Sequence, residues 1–586
     1  PGAYRSQEFY LDETHWAEVK KYCRKQRITP ALYFKVLYGL MINTYCRPDS
    51  DFAIQETMAG RGKGHYTSQG CYIQEIPFVF EKNAFASAND VASIFNVARQ
   101  FQKEIKNYRL ISIGEQVALS PRGRIGFMYN YYHFLADSEF LGEVIDAQGT
   151  PSDPAENIQF VVTEVRGDLK ITLLYHPHVF EDFGLVDRVV SLSRQIVSGD
   201  ATTLGDLQYV TDAAEITTLL TDWNTTAEDF DLSLCLHQRF EQQVLNTPEA
   251  IAIIDDSVQY SYCELNERAN QLARYLVGAD TKVGDLVGLC AERSAAFLVG
   301  ILGIQKAGGA YVPMDPKYPQ DRITYMRDNS EVGIVLSQQH LAGKIEEGSG
   351  ARIVYLDTDW NKVERFESGN LDINVSPLSR AYMIYTSGST GKPKGAIVRH
   401  DGAVNHIEAE RKVLEFDGAF SFLQTAPSSS DISVWQFLGP VICGGKSVVL
   451  DEVTHAEKMF ALVKEHKLDV VELVPVALQL LMEYVRQLSE SDRALPDLRW
   501  MMATGEAVSV ELVNAWLTLY PEIPVVNAYG PTEAADDVVQ CAIESPLPIG
   551  QRSVPIGKPL ANLSVLVLDD ELRLLPAGVP GEICIS

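Results

Sequence analysis

From residue 231 onward, short apolar runs alternate with longer amphipathic stretches, and that rhythm constrains the chain more than any other feature. Val287-Gly-Leu-Cys, Ile353-Val-Tyr-Leu, Val448-Val-Leu and Val470-Val-Glu-Leu-Val read as strands, with helical patterns between them. Strands that return through helices build an α/β unit with substantial parallel sheet. Residues 1 to about 195 have another texture: an amphipathic helical run begins at Pro30, and Leu169-Lys-Ile-Thr-Leu-Leu-Tyr175 reads as a strand. Between them, polar turn-rich segments such as Ser198-Gly-Asp-Ala-Thr-Thr203 mark a linker, with a short helix expected around residues 213–223. The length of 586 residues agrees with more than one domain.

Charge narrows the partners. Fifty basic against 78 acidic residues give a net charge of -28, which argues against nucleic acid or an anionic membrane as the main partner. Any bound polyphosphate must then be held by local features working against the global field. Nine cysteines are scattered without a CxxC pair, as expected of reduced thiols. No apolar run is long enough to span a bilayer and no signal-peptide pattern opens the sequence, so the expected location is cytoplasmic.

Local features of that kind occur at Tyr385-Thr-Ser-Gly-Ser-Thr-Gly-Lys-Pro-Lys-Gly395, directly after the apolar run Ala381-Tyr-Met-Ile-Tyr. The glycines let backbone approach an anion, four hydroxyls add donors, and Lys392 and Lys394 add positive charge. The spacing does not fit GxxxxGK[ST], so a P-loop NTPase is not indicated.

This loop resembles the phosphate-binding signature of adenylate-forming enzymes. Three further segments resemble motifs of nonribosomal peptide synthetase adenylation domains, in their usual order. These are Tyr260-Ser-Tyr-Cys-Glu-Leu-Asn-Glu-Arg-Ala-Asn-Gln-Leu-Ala273, Lys306-Ala-Gly-Gly-Ala-Tyr-Val-Pro-Met-Asp-Pro-Lys-Tyr-Pro319 and Asn527-Ala-Tyr-Gly-Pro-Thr-Glu533. The resemblance implies an acetyl-CoA-synthetase-like large subdomain over residues 231–586. It also implies ATP, Mg²⁺ and an amino acid as ligands, and a downstream carrier domain, bearing phosphopantetheine, as partner. Thr386, Ser387, Gly388, Ser389, Thr390, Gly391, Lys392 and Lys394 would then hold the ATP phosphates. Gly505, Asn527, Ala528 and Tyr529 would line the nucleotide site, Thr532 would meet the α-phosphate region, and Glu533 would hold Mg²⁺. Thr386, Lys394 and Glu533 are the expected catalytic residues. In the family a ribose-binding Asp, a hinge and a small subdomain with an essential Lys come later than the segment matched by Gly581-Glu-Ile-Cys-Ile-Ser586, so weak catalysis is expected without them.

Earlier segments, among them Ile28-Thr-Pro-Ala-Leu-Tyr-Phe, Ala59-Gly-Arg61 and Gly70-Cys-Tyr-Ile-Gln-Glu-Ile-Pro77, resemble the C-terminal half of a condensation domain. That implies a chloramphenicol-acetyltransferase-like lobe over residues 1–196, a linker over 197–230, and no HHxxxD catalytic segment. His176 and His178 are expected to be structural.

The resemblance also assigns a substrate pocket: Asp431 for the α-ammonium, then Ile432, Trp435, Glu472, Met502, Thr504, Ala528, Asp536 and Asp537. Asp431 distinguishes amino-acid activation from the alternative of an acyl- or aryl-CoA ligase. Three more carboxylates in one pocket are costly unless a cation arrives, so a cationic amino acid is expected. An arginine-like substrate leads, with Trp435 as a stacking face, and lysine or ornithine follows. Neighbours on a regular strand face opposite ways, which leaves open whether Asp536 and Asp537 both point inward. Ser428-Ser-Ser-Asp431 lacks the aromatic usual before the Asp, and a looser pocket edge is expected. A non-catalytic docking scaffold is the alternative role for residues 1–196.

Overall fold

The computed structural model describes residues 5–46, 52–59, 73–80, 90–105, 127–134, 139–140, 143–144, 158–165, 167–175, 184–345, 350–387 and 392–586. The chain divides into two compact units, 1–222 with 566–584, and 223–565 with 585–586.

The first unit is built on a mixed six-stranded sheet. Its order is Arg5–Leu11, Asp168–Tyr175, Ile158–Val165, Phe127–Phe134, Phe52–Ala59 and Ile73–Phe80. The helix Pro30–Cys46 starts where sequence rules put it, with Pro at the first position and the Thr29 hydroxyl accepting from the Leu32 amide. It is not amphipathic, contrary to its sequence pattern. Leu32, Tyr33, Phe34, Val36, Leu37, Tyr38, Met41 and Ile42 are all buried, so the helix is enclosed on nearly every side. Lys35 is buried with them, its Nζ 2.5 Å from the Glu56 carboxylate and 4.5 Å from the centre of the Phe78 ring. The expected short helix is found at Ala213–Leu220, capped by the Asp212 carboxylate. His176 and His178 lie outside the described residues.

The second unit contains the alternating pattern. Lys446–Val449, Ser421–Gln424, Val470–Leu473, Trp500–Ala503 and Val525–Tyr529 run parallel as the middle of a nine-stranded sheet, and Val539–Ile543 joins antiparallel. Being covered on both faces, these strands are buried at almost every position, as their unbroken apolar sequences require. A six-stranded sheet carries Leu286–Cys290, Ala310–Pro313, Ile334–Ser337 and Arg352–Tyr355 in parallel, then Arg380–Thr386 and Lys394–Arg399. Each strand candidate named from residue 231 onward overlaps one of these. Val470-Val-Glu-Leu-Val-Pro475 resolves into a strand ending at Leu473 and a helix Pro475–Val485 with proline in its first turn. No helix among the described residues is long and apolar enough to cross a membrane.

Candidate active site

Strands Arg380–Thr386 and Lys394–Arg399 form an antiparallel hairpin in which Thr386 pairs with Lys394. The glycine-rich segment is therefore a strand-to-strand connection, whereas a P-loop leads from a strand into a helix. Gly388, Ser389, Thr390 and Gly391 lie outside the described residues. Ser387, Lys392 and Lys394 are exposed, and the Thr386 hydroxyl lies 3.3 Å from Glu533 Oε1. The hairpin thus meets the 3₁₀ turn Thr532–Ala534, where Glu533 presents an exposed carboxylate. One carboxylate that leaves room for water and phosphate oxygens fits the donor set Mg²⁺ prefers.

Most pocket residues come from the carboxyl ends of the parallel strands or the turns just beyond, where α/β sheets open crevices. Asp431 caps the helix Ile432–Ile442, and its Oδ1 accepts from the Ile432 amide and the Ser430 hydroxyl. Its Oδ2 accepts from the Thr532 hydroxyl, joining the assigned amino-acid end of the site to the assigned nucleotide end. The serine segment before Asp431 is tied down and not loose. The Ser433 hydroxyl donates to the carbonyls of Ser428 and Ser430, and Ser429 shares a hydrogen bond of 2.9 Å with the Tyr318 hydroxyl. Tyr529 is 44 % exposed, while Asn527 donates to the Pro555 carbonyl at 2.9 Å. Gly505 adopts φ 79°, a conformation that favours glycine, immediately after Thr504.

The remaining pocket positions enclose an unusual charge. Glu472 sits on Val470–Leu473, 1 % exposed, opposite Met502 on the neighbouring strand. Gln436 donates to its Oε2 at 3.1 Å, and its Oε1 has no hydrogen-bond partner. Burial, followed by the negative charges of Glu410 and Asp431, pushes the Glu472 carboxyl up to about 8 despite Gln436. Asp536 and Asp537 are both buried, because the segment that carries them is not a strand. Ala535 and Asp536 have φ of 73° and 100°, which breaks the alternation and turns two successive carboxylates inward. Gly530 makes this turn possible, since a Cβ there would lie 1.9 Å from the Asp536 carbonyl oxygen. Both carboxyls are held well above the usual range, first by burial, then by Asp537 acting on Asp536 and by Glu410 acting on Asp537. The Thr504 hydroxyl lies 3.4 Å from Asp537 Oδ1, and Gln540 donates to Oδ2 at 3.3 Å.

Trp435 is as buried as the carboxyls, its ring centre 5.4 Å from Phe420, 5.5 Å from Phe422 and 6.1 Å from His406. Two residues not singled out from the sequence, His406 and Glu410 on the helix His400–Val413, lie beside these carboxyls. A His and a Glu four residues apart, bracketing Ile407 on the apolar face, was the available signal.

Two largely parallel sheets with helical crossovers and a glycine-rich connection between paired strands are the architecture of an adenylate-forming fold. Residues 240–586 match the AMP-binding enzyme family, and the chain belongs to it. It is 32 % identical over its whole length to one of the linear gramicidin synthase subunits of Brevibacillus parabrevis, covering 11 % of that protein. It is 34 % identical to tyrocidine synthase 3 of the same organism, over 88 % of this chain and 7 % of that protein. The chain thus spans about a tenth or less of these relatives. A crystal structure of the nonribosomal peptide synthetase FmoA3 in its AMPPNP-bound form superposes on the whole chain and 63 % of its own, with TM-score 0.84 at 22 % identity.

Proposed function

We propose that residues 231–586 are the large subdomain of an amino-acid adenylation domain in nonribosomal peptide synthesis, using ATP to make an aminoacyl-AMP and pyrophosphate. Residues 1–196 are read as the C-terminal lobe of a condensation domain, with 197–230 as the linker. The observation that carries this reading is Asp431, buried at a helix start and hydrogen-bonded to Thr532 of the segment assigned to nucleotide. A carboxylate so placed pairs an α-ammonium while the substrate's own carboxylate faces the α-phosphorus. Fatty and aryl acids would leave it without a partner.

The protein's part is positioning and charge neutralisation. Thr386, Lys392 and Lys394 would hold the β- and γ-phosphates, Tyr529 would stack on adenine, and Glu533 would hold Mg²⁺, whose charge would offset that of the phosphates. The product passes to a carrier domain bearing phosphopantetheine, in the cytoplasm. The buried carboxylates Glu472, Asp536 and Asp537 support a cationic side chain.

The test is amino-acid-dependent pyrophosphate exchange across the common amino acids, using the chain continued through the small subdomain of its family. Exchange is expected with a cationic amino acid and lost in Asp431→Ala, a buried pair worth roughly 3–5 kcal/mol when broken. Full activity of that variant, or exchange driven by acids lacking an ammonium, refutes the assignment.

A further inference from the structure

Glu410 is not among the pocket residues that the family resemblance assigns, yet it lies against the buried carboxyls. It is fully buried; its Oε1 accepts from Gln540, and its Oε2 has no hydrogen-bond partner. His406, one turn earlier, brings Nε2 to 3.3 Å from Glu410 Oε1 and 3.9 Å from Asp536 Oδ2. Acceptor atoms of His406, Glu410 and Asp537 all lie within 4.8 Å of one another. Glu472 Oε1 and Asp536 Oδ2 are likewise buried without a hydrogen bond. Among the described residues, the ion pairs of this cluster involve His406 alone, and no Lys or Arg reaches it. One imidazole cannot offset four buried carboxyls, and the unpartnered oxygens have been aimed at something the chain itself does not supply.

We propose that Glu410, with His406 and Asp537, holds the terminal ammonium of the substrate's side chain, so that the pocket takes diamino acids of the lysine and ornithine type in preference to arginine. This rests on the amino-acid-adenylating reading and adds to it a residue and a substrate class. Three acceptors each about 2.8 Å from a tetrahedral ammonium nitrogen lie about 4.6 Å apart, and ligand atoms gathered within 4.8 Å of one another can all reach one such nitrogen. His406 supplies the third ligand atom of the set. A guanidinium needs acceptors in its plane, paired along its edges, and gains from a flat aromatic face. The ligand atoms of His406, Glu410 and Asp537 are instead gathered within 4.8 Å of one another, a compact set suited to a single ammonium nitrogen.

The experiment measures pyrophosphate exchange with lysine, ornithine, arginine and the neutral analogues norleucine and norvaline, for wild type, Glu410→Gln and His406→Leu. Wild type is expected to prefer a diamino acid to arginine. Glu410→Gln should lower the ratio of kcat/KM for ornithine over norvaline by ten- to a hundredfold with KM for ATP unchanged, and His406→Leu should move the ratio the same way. Each ratio is taken within one variant, so a misfolded fraction cancels. If neither variant folds, calorimetric titration of wild-type residues 1–586 with lysine and with arginine decides the order. Preference for arginine overturns the proposal. An unchanged ratio in Glu410→Gln overturns the role of Glu410 while leaving the cationic reading standing. A wild type that accepts only neutral amino acids overturns the cationic reading itself. Stoichiometric zinc, bound by wild type and lost in Glu410→Gln, would make the cluster a metal site instead.

Discussion

At the scale of single residues, the pocket carboxylates were legible in part. Glu472 was identifiable because an acid within an apolar run cannot be solvated, and it is buried. Glu410 and His406 were missed because a helix hides the identity of what packs on it. Glu472 gives two predictions. Glu472→Gln keeps shape and loses charge, and a charge-assisted contact is worth about 1.5–3 kcal/mol. Thus kcat/KM for the cationic substrate should fall roughly tenfold to a hundredfold, with neutral analogues steady or improved. The second concerns pH. A carboxyl raised from an ordinary 4.5 to about 8 binds a proton in the folded state that the unfolded chain has released. That contribution to stability is complete below about pH 4.5 and is lost as pH rises through about 8. His400, pushed down to about 4 by burial, acts in the opposite sense at lower pH, and Lys306, lowered to about 8, does so at the top of the range. Both cancel when wild type is compared with Glu472→Gln. The Tm of the variant should therefore gain on that of wild type between pH 6 and pH 8.5. A gap that does not change with pH would mean that Glu472 is ionised, and solvated, in the folded protein.

At the scale of elements, strands were read well where burial on both faces leaves an unbroken apolar run, as at Val287 and Val470. Period alone misled at Pro30–Cys46, since an enclosed helix and an amphipathic one share many positions. The question of Asp536 and Asp537 assumed a strand, whereas two left-handed residues make a turn, and only the fold around Gly530 imposes them. The hairpin bearing Lys392 and Lys394 is a separate element from the carboxylate pocket, and both lysines are exposed. Replacing both by Gln should raise KM for ATP by a similar factor with every amino acid accepted, leaving their rank order intact. A changed rank order would place the hairpin against the substrate side chain and contradict the mapping.

At the scale of the whole molecule, sequence texture changed near residue 195 and again near 231, while the compact units part between Asp222 and Trp223, with residues 566–584 grouped with the first. A return of the chain over more than three hundred residues leaves no local trace in composition. The two units have distinct apolar cores, one centred on residues such as Tyr33, Phe95 and Phe160, the other on residues such as Phe240, Phe297 and Trp435. A chain with separate cores need not unfold in one step, and ligand stabilises only the part that binds it. Heating should accordingly give two calorimetric transitions. ATP with Mg²⁺ and the cationic amino acid, at about a hundred times their dissociation constants, should each stabilise the second unit by about 2.7 kcal/mol. Its transition should shift upward by several degrees while the other stays in place. In Asp431→Ala the shift caused by the amino acid should vanish and that caused by ATP should persist. If both transitions moved together with either ligand, the two cores would be one cooperative system, and the assignment of both ligands to residues 231–586 would lose its support.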